Sequence, residues 1–277
     1  MLNDWFYSHS SWTVMFAVCS VIVGLSLAGL YGFNRLVDPE KREPDTSMVG
    51  LSYALAGGIY AIVISFVAVG VYESLDKADG IASAEANSLN AIMFDSAGLP
   101  ADSALNLRRT VHGYIDVVTK KEWPSQQAFH MEDSNFEAGW ALARQLSDEI
   151  VRFQPATQGQ ETVKAELLGD VTELFSERHE RILAAGEHLP DAIWQAMIFG
   201  LLLIAVYVYL FGPHSFKMHM AVTGLTMFTI GLVFSLIIAM DYPFRGDVSV
   251  DDEAYTSTAE LGDALFGSST SADHTQR

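Results

Sequence analysis

Apolar residues in this 277-residue chain are gathered into blocks rather than scattered. Residues 12–33, 48–72, 192–213 and 218–240 contain no Asp, Glu, Lys or Arg, and acidic residues crowd the stretches between and after them. A helix rises about 1.5 Å per residue and a hydrocarbon core is about 30 Å thick, so each block is long enough to cross one. A segment in lipid must satisfy its own backbone polar groups, which makes helix the required conformation. The pattern predicts an all-α membrane protein with four transmembrane helices. The first block has no basic residue before it and no small-residue cleavage site after it, so it reads as a span rather than a cleaved leader.

Residues 73–191, between the second and third blocks, hold 21 acidic and 10 basic side chains. Their apolar positions keep helical spacing and nowhere alternate as a strand would. The second span runs on past residue 73 with Gly80 as its one breaker. A second helix opens on Leu99 and Pro100 and repeats apolar positions at Leu105, Val111, Tyr114, Ile115 and Val118. Ser134 followed by Glu137 has the spacing of a capping box, in which each side chain caps the other's backbone. Pro190 sits where the third span should begin. The expectation is about four packed helices, an α-helical extramembrane domain inserted between spans two and three. The chain then divides into 1–72 (N-terminal segment and two spans), 73–190 (helical domain), 191–241 (two spans) and 242–277 (acidic tail). Tyr114, Trp123 and Trp140 are available to line a pocket in that domain or to fill its core. In the tail, Ala254, Leu261, Leu265 and Phe266 predict one short amphipathic helix, and the Ser/Thr-rich end beyond it is too polar to fold.

Charge narrows the partners. The formal net charge is −18, which argues against nucleic acid, since that partner needs a basic face. The single Cys19 permits no internal disulfide. There is no Gly-rich phosphate loop, no paired cysteine and no HExxH, so an enzyme is not expected. His179 and Glu180 read as a solvated helix face, and His214 and His219 as interfacial residues at the entry to the fourth span. Four spans put both termini and the helical domain on one side of the membrane. Arg35, Lys41, Arg42 and Lys217 in the short loops place those loops in the cytoplasm by the positive-inside rule, and hence the domain and termini outside. Lys77, Arg178, Arg181 and Arg245, near span ends on the other side, pull the count back.

The second span carries the most suggestive pattern. Gly58, Ile62, Ser65, Val69, Tyr72, Asp76, Asp79 and Ser83 recur at alternating steps of four and three, one face of a slightly supercoiled helix. Beside them run Phe66 and Glu73. Helix packing in lipid can produce such a face, because small residues let helices approach closely and charges begin where lipid ends. Copies of this helix around an axis would make a pore instead. Gly58, Ile62, Ser65, Phe66, Val69 and Tyr72 would line it, with a dewetting constriction at Ile62, Phe66 or Val69, and Glu73, Asp76 and Asp79 would ring its mouth. Such rings attract cations.

The fourth span ends on "DYPFRGDVSV". Asp241 is tolerable at an interface where it would not be at the bilayer centre, and Arg245 is a candidate partner. Pro243 ends the helix and Gly246 allows a tight turn. Asp241, Asp247, Asp251, Asp252 and Glu253 cluster oxygen ligands that could hold Ca²⁺, the one cofactor the sequence suggests, although no EF-hand spacing accompanies them. A plain helix stop followed by an acidic tail accounts for the same residues.

The segments "EANSLNAIMFDSAGLPADSALNLRRTVHGYIDVVTKKEWP", "ERHERILAAGEHLPDAIW" and "DYPFRGDVSV" resemble those of a bacterial family of bestrophin-like membrane proteins. The resemblance is carried by Glu85 and Ala86, Leu99 and Pro100, Tyr114, Glu122 to Pro124, Arg178 and Arg181, Leu189 and Pro190 with Trp194, and Asp241 to Gly246. It implies a homo-oligomer in the bacterial inner membrane. It also implies an ion channel lined by the second span, with an acidic calcium clasp after the fourth. Lipid and inorganic ions are the expected partners. A non-conducting membrane scaffold or sensor, whose helical domain binds a partner or ligand, is the competing expectation.

Overall fold

The computed structural model describes residues 2–37, 46–211 and 215–266. Lys41, Arg42, His214, the Ser/Thr-rich end after Phe266 and the side chain of Phe266 itself lie outside the described residues. The elements are α1 (Leu2–Ser8), α2 (Ser11–Leu36), α3 (Thr46–Asp95), α4 (Ala101–Val117), α5 (Trp123–Gln127), α6 (Glu137–Arg152), α7 (Gln158–Gly186), α8 (Asp191–Leu210), α9 (Phe216–Met240) and α10 (Glu253–Phe266). No strand occurs among the described residues. Four helices are long and apolar enough to cross a membrane, namely α2, α3, α8 and α9. The chain is an all-α membrane protein.

The residues sort into two compact units. The first holds Met1–Ser74, His188–Tyr242 and Gly246–Val248. Its helices meet through small residues, as packing in lipid demands, because no hydrophobic driving force separates one helix from lipid tails. Gly231 of α9 lies against Cys19 of α2, where an added Cβ would come 3.2 Å from the Cys19 backbone. Gly29 leaves room for Tyr209, whose hydroxyl donates to the Ser26 carbonyl at 2.7 Å. Gly200 does the same for Tyr60, which donates to the Met197 carbonyl at 2.7 Å. These bonds also give each buried tyrosine hydroxyl a partner, which hydrocarbon would not. His219 is buried rather than interfacial, with Nε2 2.9 Å from the Val208 carbonyl oxygen.

The second unit holds Leu75–Glu187, Pro243–Arg245 and Ser249–Arg277. Helix α3 does not break at Gly80 but continues to Asp95. From Ala78 to Met93 its buried positions (Ala78, Ile81, Ala82, Leu89, Ile92 and Met93) join Leu107, Val111, Leu146, Ile150, Leu167 and Leu174 from α4, α6 and α7 in one core. Tyr114 and Trp123 belong to that core, whereas Trp140, half-buried and stacked on Phe175 at 5.9 Å, lines a surface pocket with Phe136 and Arg144. Between α4 and α5 the backbone widens into a π-helical turn, Val118–Glu122.

Two local expectations change. Helix α6 starts at Glu137 after Phe136, with Ser134 inside a separate 3₁₀ turn, Asp133–Asn135, so no capping box forms. Helix α10 exists, but its packed face is Tyr255, Thr258 and Gly262, while Leu261 and Leu265 point outward. The start of α8 agrees with expectation, because Pro190 is its N-cap.

Candidate functional site

The face predicted for α3 is uncovered within one chain. Gly58, Ile62, Ser65, Phe66, Val69, Tyr72, Glu73, Asp76 and Asp79 are all exposed, whereas Ile64, Val71 and Ala78 on the other side are buried. Gly58 and Gly70 have open space where a Cβ would be. Ser65 turns its hydroxyl back to the Ala61 carbonyl, 2.7 Å away, so it makes no bond to a neighbouring helix of its own chain. Phe66 is 74% exposed, a large apolar surface that must meet lipid, another copy or a confined water column. At the polar end of the stripe, Asp79 and Ser83 share a pocket of about 400 Å³ with Asp251 and Glu253. The last acid of the stripe and two acids of the tail thus line one cavity.

The motif residues of the second unit converge. Glu85 of α3, Tyr114 of α4, Glu122 of the π turn, Gln126 of α5, and Arg178 and Arg181 of α7 are all fully buried. Arg178 donates to both Glu122 oxygens, at 2.7 and 3.0 Å, and also to the Phe136 carbonyl at 3.0 Å. Arg181 donates to both Glu85 oxygens at 2.6 and 3.2 Å, to Glu122 at 2.8 Å and to Gln126 at 3.0 Å. Tyr114 donates to Glu85 at 2.5 Å and accepts from Arg178 at 2.9 Å. Trp140 and Tyr114 flank the Arg178 guanidinium at 4.8 and 5.3 Å.

Two guanidiniums and two carboxylates make this set neutral, which is the condition for burying charge at all. Burial works against the Arg181 charge, but Glu85 and Glu122 outweigh it and hold its pKa well above the ordinary value. Burial and the Glu85 charge push the Tyr114 phenol well above its usual range, so it keeps the proton it donates. Arg181 and Tyr114 both keep their protons at neutral pH, and their hydrogen bonds join α3, α4, the π turn, α5 and α7. Arg178 and Arg181 are therefore domain-core residues, not charges standing free at a membrane edge. Arg245, also buried, donates to the Gln127 carbonyl at 3.1 Å and sits over Phe129.

Sequence reasoning missed Gly139, although a lone glycine inside a helical pattern is a known sign of close approach. A Cβ there would strike Glu122 Oε1 and Arg178, coming 2.7 Å from the guanidinium carbon.

A second knot ties the remaining motifs within the first unit. Asp241 Oδ1 accepts from the Leu189 backbone at 2.7 Å, and Oδ2 from the Trp194 indole at 3.3 Å. That is why a lipid-spanning helix ends on an aspartate here: it fastens the end of α9 to the start of α8. Asp247 accepts from the Ser11 backbone at the start of α2, 2.7 Å away, and Gly246 turns the chain with φ +85°. In the second unit Asp251 accepts from the Glu253 backbone at the start of α10, and Phe244 packs edge-on against Trp123 at 5.3 Å. Among the described residues no three His, Cys, Asp or Glu side chains gather to hold a metal. Of the five acids that the sequence offers to calcium, Asp241, Asp247 and Asp251 each accept from a backbone N–H at or beside a helix start.

A family model described as the bestrophin-like domain matches residues 20–255. No curated protein and no solved structure matches the chain.

Proposed function

The chain belongs to the bestrophin-like family, and from that premise we propose that it is a homo-oligomeric, cation-leaning ion channel with α3 of each copy around a common axis. The observation that supports this most is the uncovered stripe of α3, apolar from Ile62 to Val69 and carboxylate-bearing from Glu73 to Asp79. Around an axis, Ile62, Phe66 and Val69 form a hydrophobic constriction that gates by dewetting, and the acids form rings that concentrate cations. Asp251 and Glu253, in the same pocket as Asp79, add to that field. We assign the chain no catalytic role. Four apolar spans make it a multi-pass membrane protein. We place it in the bacterial inner membrane with the helical unit and termini outside, on the charges of its short loops.

Purified protein in planar bilayers should give single-channel currents, and replacing Glu73→Gln, Asp76→Asn and Asp79→Asn together should move the reversal potential toward that of the anion. Silence across several salts and voltages would defeat the proposal. A monomer in detergent would favour the non-conducting scaffold or sensor instead, since four spans leave little room for a central pore.

A further inference from the structure

Within the first unit, a cavity of about 260 Å³ opens beside the ends of α8 and α9. Its lining residues include the aromatic Tyr7, His188, Trp194 and Tyr242 and the acidic Asp191 and Asp241. Tyr7 and Tyr242 meet edge to face at 5.1 Å, and His188 stacks on Tyr242 at 5.2 Å. The arrangement is anchored, because Tyr7 donates to the Ile238 carbonyl at 2.9 Å, and Trp194 and the Leu189 backbone both donate to Asp241. Asp241 is only 8% exposed and Tyr242 7%. A carboxylate has about four acceptor positions, and two of those on Asp241 are used, so capacity remains on the wall.

Acid in the wall repels anions. Calcium would want six or more oxygens, and two carboxylates among aromatic rings do not supply them. The faces of aromatic rings attract soft organic cations, and a low-dielectric cleft strengthens that attraction. The volume lies just below the roughly 300–1,000 Å³ of drug-sized ligand sites, which suits a small head group. We propose that this cavity binds an alkylammonium group, quaternary or protonated, with the rings around the cation and Asp191 and Asp241 balancing its charge. The site does not depend on α3 or on conduction.

The ammonium can come from a lipid head group or from a soluble amine, and one experiment separates the two. The full chain is placed in nanodiscs of phosphatidylglycerol alone and titrated with choline chloride by calorimetry. Saturable binding is expected that Tyr7→Leu and Asp191→Asn each weaken by about three- to thirtyfold. Asp191 is exposed and makes no bond to Asp241, so that variant tests the site without touching the α8–α9 fastening. Repeating the titration in discs that include phosphatidylcholine suppresses free choline binding if lipid is the occupant, and leaves it unchanged if the amine is soluble. No saturable binding, binding as tight in both variants as in the native chain, or complete displacement by sodium chloride at matched ionic strength would overturn the proposal.

Discussion

Glu122→Gln removes one charge from the buried set of the helical unit while keeping the shape of the side chain. In the native arrangement Glu122 accepts from Arg178 at 2.7 and 3.0 Å and from Arg181 at 2.8 Å. The amide keeps one oxygen and turns an NH₂ toward guanidinium donors, so at least one donor faces another donor. The set goes from neutral to one net positive charge in a site with no exposure to solvent. Breaking a buried pair by removing one partner costs about 3–5 kcal/mol, a large share of the ~5–15 kcal/mol that holds a typical domain together. Arg178→Met leaves the opposite imbalance and should cost a similar amount. Combining them restores neutrality around Glu85 and Arg181, so the double variant should be more stable than the sum of the two losses by about 1–3 kcal/mol. Urea unfolding of the full chain in detergent, followed by tryptophan fluorescence, reads this, because Trp140 lies against Arg178 and Trp123 against Arg181. Losses that add within about 0.5 kcal/mol would refute the charge-balance reasoning.

Gly139→Ala drives a methyl into Glu122 and Arg178 and should cost about 1–3 kcal/mol or more by overpacking in the same unfolding assay. Gly246→Ala should cost about 1–2 kcal/mol, since φ +85° suits only glycine and the new Cβ meets Tyr7 at 3.2 Å; unchanged stability would contradict the turn described here. Asp170 has its carboxyl pushed up to about 6 by burial and by the charges of Asp95, Glu173 and Glu166. Its folded form holds a proton more tightly than the unfolded chain, so this contribution to stability is greatest below pH ~4 and is lost as pH rises through about 6. Asp170→Asn should therefore stabilise the protein at pH 8, by on the order of 1 kcal/mol after solvent screening, and do nothing comparable at pH 4. Equal effects at both pH values would assign the gain to something other than charge.

Much of this architecture could be read from the chain. Four uncharged blocks gave four spans, and Pro190, Pro243 and Gly246 marked helix ends by backbone chemistry that needs no tertiary context. The exposed face of α3 followed from its period. What periodicity could not say is which helices meet. Arg181 and Glu85 lie 96 positions apart, and from local position alone the arginine looked like a membrane-edge charge. The resemblance flagged Glu85, Tyr114, Glu122, Arg178 and Arg181, but only the fold shows that they touch one another. The tail helix forms as expected, with Ala254 on its packed side, but Leu261 and Leu265 face outward for another reason. Hydrophobicity favoured Leu261 and Leu265, whereas the packed face is chosen by shape, because Gly262 lets the helix approach Met93, whose sulfur would lie 2.8 Å from an added Cβ. The acids after Asp241 form a cluster along the sequence, but in the fold two of them, Asp247 and Asp251, accept from backbone N–H groups at helix starts.

The order along the chain of Glu85, Glu122, Arg178 and Arg181 bears on how the protein is born. Both carboxylates leave the ribosome well before the arginines, with Arg178 trailing Glu122 by 56 residues. Until α7 emerges, Glu85 and Glu122 have no counter-ion, and closing α3, α4 and α5 on one another would trap naked charge. At about 5–20 residues per second that wait lasts several seconds. Closure after α7 has emerged avoids burying either carboxylate without the arginine that pairs it.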